Sequence, residues 1–417
     1  MLEFLPSRVG NKMEDKLWRN SLIKGRRICM LMITHACNLN CTYCYETYKS
    51  EKKMSFELAK ELILKECHFV LNSPDYHEIE IDLMGGEPMM NFPLIKSLVE
   101  WAADNPLPVP WVFFLTTNGT LFDDEKKSWF KKYRKFITAA VSYDGSAEMQ
   151  AQNRKTDQDN IDLSFFHETW PWQSFHMTIS KETLPYIASG ILAAQKLGYF
   201  LEISLAQGVP WSDEDSLIYK EQLEILSNSY IHDPTLEPVN LLTRPIDIKK
   251  SNDIFNYRQK RWCGSGTHMI TYDVDGQAYG CHLFTPVVLG GKALKRDHIN
   301  WTCPEISEDS FCKGCILKTS CPTCIGFNFR FRNDISKRDH NWCKMVLVEK
   351  IVACEFQIKI LVARKKTLSD DDAMYAQRAL QAYEILKFFE SDSCNSPFTF
   401  YSTHINTKIE RIENENH

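Results

Sequence analysis

Cys37-Asn-Leu-Asn-Cys41-Thr-Tyr-Cys44 follows directly on the apolar run Ile28 to Ile33. Three thiolates at C-x3-C-x2-C spacing can converge on one iron–sulfur cluster and hold three of its four irons, leaving the last open to another ligand. By spacing alone the triplet could equally be a zinc site short of one ligand, or three unrelated thiols. The next apolar-rich strand candidate, Glu78 to Met84, runs into Gly85-Gly86-Glu87-Pro88. Two glycines there let a ligand approach the backbone at a strand end, and Glu87 can accept hydrogen bonds from an ammonium group. An ordinary strand-to-helix turn would look the same.

The 417 residues are too many for one typical domain, and 44% hydrophobic residues support substantial cores. A net charge of −5 with no long polybasic run gives no footprint for nucleic acid. No apolar segment approaches the roughly 18 residues that span a bilayer, and Met1 to Lys16 lacks a signal-peptide core. A cytoplasmic protein, neither membrane-bound nor nucleic-acid-binding, is the expectation. Fifteen cysteines in a reducing compartment, clustered in spacing, are better explained by metal clusters than by disulfides.

Outward from the triplet, strand-like runs alternate with helical ones. The strands are expected at Ile28 to Thr34, Glu78 to Met84, Trp111 to Thr117, Phe136 to Tyr143, Phe175 to Ser180 and Phe200 to Ala206. Helices are expected at Phe56 to Leu71, Pro93 to Ala103, Asp123 to Tyr133, Ser164 to Thr169, Leu184 to Leu197 and Asp213 to Ser227. Six βα repeats predict an α/β fold with a mostly parallel sheet, a partial (β/α)6 TIM barrel. In such a barrel ligands gather at the C-terminal ends of the strands, where Cys37, Gly85, Asn118 and Asp144 all fall. The expected division is an N-terminal extension (1–24), the barrel (25–230), a connector (231–260), a small cysteine-rich domain (261–360) and a C-terminal helix and tail (361–417). That cysteine-rich domain would be cored by metal rather than hydrocarbon. A charged helical segment (Ser369 to Glu390) precedes a polar end.

A cysteine triplet after one strand and a Gly-Gly-Glu-Pro turn after the next resemble the radical S-adenosylmethionine (SAM) superfamily. The resemblance implies a 4Fe-4S cluster on Cys37, Cys41 and Cys44, with SAM chelating the open iron and Glu87 and the Gly85–Gly86 backbone binding its ammonium. Tyr43 matches the aromatic placed near adenine, though a packing tyrosine would serve the sequence as well. Ser142-Tyr-Asp144-Gly145 and Asn153-Arg154 resemble the family's S-x-D-G and N-R elements, so Ser142, Asp144 and Arg154 are expected SAM contacts. Where relatives often have His-Asp, this chain has Gln150-Ala151. Asn118, after Thr116-Thr117, suits polar cofactor contacts or a simple turn.

The C-terminal third carries Cys263-x12-Gly276-x4-Cys281, then Cys312-x2-Cys315-x5-Cys321-x2-Cys324, and finally Cys343. Two C-x2-C pairs are also the signature of a zinc ribbon. In order and spacing the set is similar to the SPASM extension of radical SAM peptide-modifying enzymes, a domain with a β-hairpin, short helices and two auxiliary 4Fe-4S clusters. The usual spacing before the sixth cysteine is three residues, and here it is two. The resemblance assigns Cys312, Cys315, Cys321 and Cys343 to one cluster and Cys263, Cys281 and Cys324 to the other, for three clusters in all. The second of these is left with three thiolates; an open iron, a substrate thiolate or peptide group, Cys303 and His268 are the alternatives for its fourth position. Cys29, Cys67, Cys354 and Cys394 fall outside all motifs and fit buried small hydrophobes.

After Cys281 comes His282, where sulfatase-maturing relatives have an aspartate base. The run Tyr279-Gly280-Cys281-His282 looks closer to maturases that crosslink ribosomally made peptides, and a histidine there could act as base or only orient the cluster. The leading expectation is therefore an enzyme that abstracts hydrogen from a ribosomal precursor peptide and closes a carbon–carbon, ether or thioether crosslink. Formylglycine formation in a sulfatase is the enzymatic alternative, and a non-catalytic metal-binding interaction protein is the alternative of another class. The 36 residues before Cys37 are too few for the leader-binding domain with which such maturases often begin. A separate leader-binding protein, or the chain itself, would then recognise the leader, and flavodoxin or ferredoxin would donate electrons.

Overall fold

The computed structural model describes residues 25–244, 246, 263–301, 309–312, 315, 317, 320–364 and 370–391. The expected N-terminal extension, half of the connector, Cys303, Cys394 and the polar end lie outside the described residues.

Strands β1 (Arg26–Thr34), β2 (Glu78–Gly85), β3 (Trp111–Thr117) and β4 (Ile137–Val141) pair side by side in parallel. Strands β5 (Phe175–Ile179) and β6 (Leu201–Leu205) pair in parallel as a second piece, and a parallel bridge between Ser142 and His176 joins it to the end of β4. Six parallel strands thus stand in chain order, the partial barrel expected from the six repeats. All nine residues of β1 are buried, which explains why its sequence runs apolar instead of alternating.

The helices α1 (Phe56–Leu71), α2 (Phe92–Asp104), α3 (Asp124–Tyr133), α4 (Ala147–Arg154), α5 (Leu163–Thr169), α6 (Ile187–Lys196) and α7 (Asp213–His232) connect and follow these strands. In α1 the buried Ala59, Leu62, Ile63, Glu66, Cys67 and Val70 recur at helical spacing, and Ser55 caps the start by accepting from the Leu58 N–H. A full capping box, Ser212 with Asp215, starts α7. Helix α4 is the one element of the barrel that apolar periodicity does not announce. Its sequence, Ala-Glu-Met-Gln-Ala-Gln-Asn-Arg, buries polar side chains, among them Gln150, Asn153 and Arg154.

The cysteine-rich region is not a separate lobe hung from the barrel. Its hairpin, β7 (Met269–Tyr272) with β8 (Ala278–Tyr279), continues the barrel sheet: β7 runs parallel to β1, Ile28 to Leu31 opposite Met269 to Tyr272. Contrary to the expectation of a core made of metal, this region has a hydrocarbon core of its own. Phe284, Val287, Val288, Leu289, Ile299, Trp301 and Ile325 bury together with Met32 of β1. Gly266 and Gly280 are glycines because the Trp301 indole lies where their side chains would be, 1.9 and 2.0 Å from an added Cβ. After α8 (Ile325–Arg332), the long helix α9 (Trp342–Arg364) runs unbroken past residue 360, where the cysteine-rich domain was expected to end, and packs on α7. The buried Glu349 fixes that contact, accepting from Tyr219 Oη at 2.8 Å and Lys350 Nζ at 2.7 Å. Helix α10 (Asp370–Ser391), close to the charged helical segment read from sequence, packs on α9.

Candidate active site

The C-terminal end of β1 delivers Cys37, and the loop that follows is tied down on every side. Thr42 N–H donates to the Asn153 carbonyl at 2.8 Å, Lys49 Nζ to the Leu39 carbonyl at 2.8 Å, and Arg330 of α8 to the Tyr45 carbonyl. Gly85 and Gly86 sit against the base of this loop. An added Cβ would stand 2.2 Å from the Thr34 carbonyl oxygen at Gly85, whose φ is +149°, and 2.4 Å from the Ala36 oxygen at Gly86. The glycines therefore let β2 close on the cysteine loop, and Glu87 N–H donates to the Ala36 carbonyl at 2.8 Å.

Cys37, Cys41 and Cys44 share one wall of a cavity of about 450 Å³. Gly85, Gly86, Glu87, Thr117, Asn118, Ser142, Tyr43 and Arg154 line the same space. Of the cofactor contacts expected from sequence, all but Asp144 are on this wall. Asp144 lies beneath it, fully buried, and accepts from Tyr43 Oη (2.7 Å), Asn153 Nδ2 (3.0 Å), Arg154 Nη2 (3.0 Å) and Thr178 N–H (3.1 Å). It positions Tyr43 and Arg154 from behind. Gln150, at the departure from the family pattern, accepts from the Asp144 N–H at 2.9 Å and holds that aspartate in turn. Asn118 Nδ2 donates to Asn38 Oδ1 at 2.9 Å, stitching β3 to the cysteine loop.

Glu87 is buried, which raises its pKa, while three donors oppose that rise: Asn118 N–H at 2.7 Å, Thr117 Oγ1 at 2.7 Å and Met89 N–H at 3.0 Å. Burial works against the Arg154 charge, yet Asp144, Tyr43 and Cys41 outweigh it and hold the guanidinium's pKa above its ordinary value. Its centre lies 5.4 Å from the Tyr43 ring centroid.

Burial raises the Cys37 and Cys44 thiols and pushes Cys41 up to about 11. Thiols raised in this way ionise readily when a cation meets them, which is what a metal cluster does. Two further polar atoms on the wall are buried without a hydrogen-bond partner, Arg154 Nε and Glu46 Oε1. Three half-buried thiols, an unmet donor and an unmet acceptor around one cavity suit an iron–sulfur cluster and a charged, amino-acid-like ligand. Among the described residues no three His, Cys, Asp or Glu side chains close on a point that would hold a metal ion.

A second cavity, of about 30 Å³, is lined by Cys312, Cys315, Cys321, Cys324 and Cys343. Burial pushes Cys312 up to about 11 and Cys315 to about 12, and raises Cys343 further. Cys281, raised by burial, also feels the charges of Cys324 and Cys263, so the three residues assigned together from sequence are neighbours. All the cysteines among the described residues are free thiols. Outside the motifs, Cys29, Cys67 and Cys354 are fully buried.

His282 does not line the main cavity. It is half-buried against Tyr45, ring centroids 5.4 Å apart, and desolvation pushes its pKa down to about 4, so it is neutral at neutral pH. Several wall residues were missed from sequence: Tyr45, Glu46 and Lys49 after the triplet, His176 and Thr178 on β5, Glu202 and Ser204 on β6, and Arg244. The strand residues had a signal. In Phe-His-Met-Thr-Ile and Leu-Glu-Ile-Ser-Leu the apolar positions are buried and the polar ones alternate to the barrel interior.

The description of a protein family, a 4Fe-4S single cluster domain, matches residues 23–161. The chain superposes on anSMEcpe solved with bound AdoMet and the Cp18Cys peptide, at TM-score 0.57 and 15% identity over 81% of this chain and 99% of that one. It superposes on Streptococcus suis SuiB bound to S-adenosylmethionine at TM-score 0.52 and 15% identity, over 78% and 79%. In fold the chain is similar to both, a partial α/β barrel continued by a cysteine-rich region. In sequence it is 34% identical to an uncharacterized protein of Methanocaldococcus jannaschii over 30% of this chain and 41% of that protein. It is also 24% identical to the radical SAM cyclopropyl synthase TigE of Paramaledivibacter caminithermalis over 42% of this chain and 40% of that protein. The chain thus spans about two fifths of the length of these curated relatives. Among the described residues no helix is long and apolar enough to cross a membrane.

Proposed function

We propose that this chain is a peptide-modifying enzyme that uses SAM and three 4Fe-4S clusters to abstract hydrogen from a ribosomally made precursor peptide and close a crosslink in it. The observation that carries the proposal is the single cavity walled together by Cys37, Cys41 and Cys44, the Gly85–Glu87 turn, Tyr43 and Arg154. Reductive cleavage of SAM at a 4Fe-4S cluster supplies a hydrogen-abstracting radical. The chain's part is to bind, orient and shield. Cys37, Cys41 and Cys44 would hold the cluster. Arg154, kept charged and aimed by Asp144, offers its free Nε to a carboxylate or hydroxyl. Tyr43 offers a ring face whose position its own hydrogen bond to Asp144 fixes. The wall formed by Thr178, Glu202, Ser204 and Arg244 leaves room for a peptide segment. Cys312, Cys315, Cys321 and Cys343, and separately Cys263, Cys281 and Cys324, would hold the auxiliary clusters. His282, neutral and behind Tyr45, would set the Tyr45 ring against the cavity.

The Cp18Cys peptide bound to anSMEcpe supports a peptide substrate by analogy of fold, and TigE supports bond closure. A separate leader-binding protein, a flavodoxin or ferredoxin donor and a cytoplasmic location complete the proposal. Anaerobic reconstitution with iron and sulfide, followed by SAM and dithionite, should release 5′-deoxyadenosine. Co-expression with candidate precursor peptides should lower their mass by two hydrogens for each crosslink. SAM cleavage with unchanged masses would refute the crosslinking, and no cleavage would refute the enzyme.

A further inference from the structure

We propose that Arg338 and Trp342 set the reduction potential of the auxiliary centre on Cys312, Cys315, Cys321 and Cys343, raising it by meeting the negative charge of its sulfurs. Both side chains share the wall of the second cavity with those four thiols. Both are more than nine-tenths buried, Arg338 at 6% and Trp342 at 8% exposed. Yet Arg338 Nε and Trp342 Nε1 are buried N–H donors without a hydrogen-bond partner. Buried donors are ordinarily met, and sulfur is the acceptor that this cavity gathers.

The guanidinium also lacks a counter-charge. Its Nη2 donates to the Cys321 carbonyl at 3.3 Å, which carries no formal charge. The nearby carboxylates are taken up elsewhere. Asp309 accepts from the main-chain N–H groups of Phe311 and Arg338, each at 2.8 Å, and stands 3.1 Å from His340 Nε2. Asp339 faces Arg332 at 3.7 Å. A buried charge is retained where a group of opposite sign pairs with it, and the Arg338 charge falls on Cys312, Cys315 and Cys343. Arg154, beside Cys41 in the main cavity, is by contrast already paired with Asp144 at 3.0 Å. Reducing an iron–sulfur centre by one electron adds one negative charge. A fixed cation and N–H donors stabilise that charge, since net charge and hydrogen bonds to the sulfurs are what tune such potentials.

The inference rests on the proposed auxiliary cluster at these four cysteines, and the test separates the two. Anaerobic, reconstituted holoenzyme is titrated with dithionite, one electron per centre, while electron paramagnetic resonance follows each reduced signal. The signal of this site is the one that Cys315→Ala removes. In Arg338→Met its midpoint should fall by at least about 59 mV, a tenfold loss of the reduced form at the wild-type midpoint, while the other signals stay in place. Arg338→Lys keeps the charge without the Nε donor and should fall between. Trp342→Phe removes one N–H and should lower the midpoint with the charge intact. Iron content certifies each variant, and where Arg338→Met loses iron the other two variants decide. A midpoint that stays put in iron-replete variants, or midpoints that all move together, would overturn the inference and spare the cluster. A wild-type protein with no signal that depends on Cys315 would overturn both.

Discussion

Replacing Asp144 by asparagine should be among the most damaging conservative changes in the barrel. The carboxylate accepts four hydrogen bonds on its two oxygens, Tyr43 and Asn153 on one, Arg154 and Thr178 on the other. An amide keeps one oxygen and turns an N–H₂ group toward two donors whichever way it flips. It also leaves the Arg154 guanidinium buried without its counterion. Breaking one side of a buried pair costs about 3–5 kcal/mol. For a unit of this size that corresponds to a fall of about 6–20 °C in melting temperature. Scanning calorimetry of the reduced apoprotein, reading the first transition, tests it. The second half of the test is Asp144→Asn combined with Arg154→Met, which removes the stranded charge and should recover about 1–3 kcal/mol over the sum of the singles. A single variant melting within about 2 °C of wild type, or a double that simply adds, would refute the account.

Alanine at Cys37, Cys41 or Cys44 should lower iron after anaerobic reconstitution by about four atoms per chain, and alanine at Cys315 should do the same independently; iron and sulfide analysis unchanged in either set would break the assignment. Gly86→Ala should cost about 1–3 kcal/mol and loosen the cysteine loop, because its Cβ would stand 2.4 Å from the Ala36 oxygen; an unshifted melting curve would contradict the packing. Stability should also respond to acid through His176, whose pKa burial, and then the Arg154 charge, push down to about 4. Above the ordinary histidine pKa of about 6.5 both states are neutral and stability is whole. As pH falls from there toward 4, the unfolded chain binds a proton that the folded chain refuses, and up to about 1.4 kcal/mol is lost per unit. Denaturation of the apoprotein across that range should show the slope, and His176→Asn should flatten it.

Much of this was legible in the chain because local pattern and global fold agree. Strands β2 and β3 sit almost where their apolar runs put them, and Ser55 and Asp123 cap α1 and α3 as their side chains suggest. The cysteine loop and the Gly-Gly-Glu turn are short-range motifs, so spacing alone was enough to bring them into view. What escaped lay in long-range geometry. Helix α4 is built from polar residues that make sense only once Asp144 is beneath them, so periodicity is silent about it. The ring contact of His282 with Tyr45 joins residues 237 positions apart, and no local signal carries that. Trp301 fills the space over two glycines that look like mere loop residues.

The pairing of β7 with β1 bears on how the molecule could ever be dissected. A chain stopped before residue 263 would strip the main-chain partners from Ile28 to Leu31, baring a raw apolar seam beside the cysteine loop. Such an open strand invites other chains to zip onto it, so the barrel cannot be had as a clean, self-sufficient fragment. The cysteine-rich segment is its missing stave.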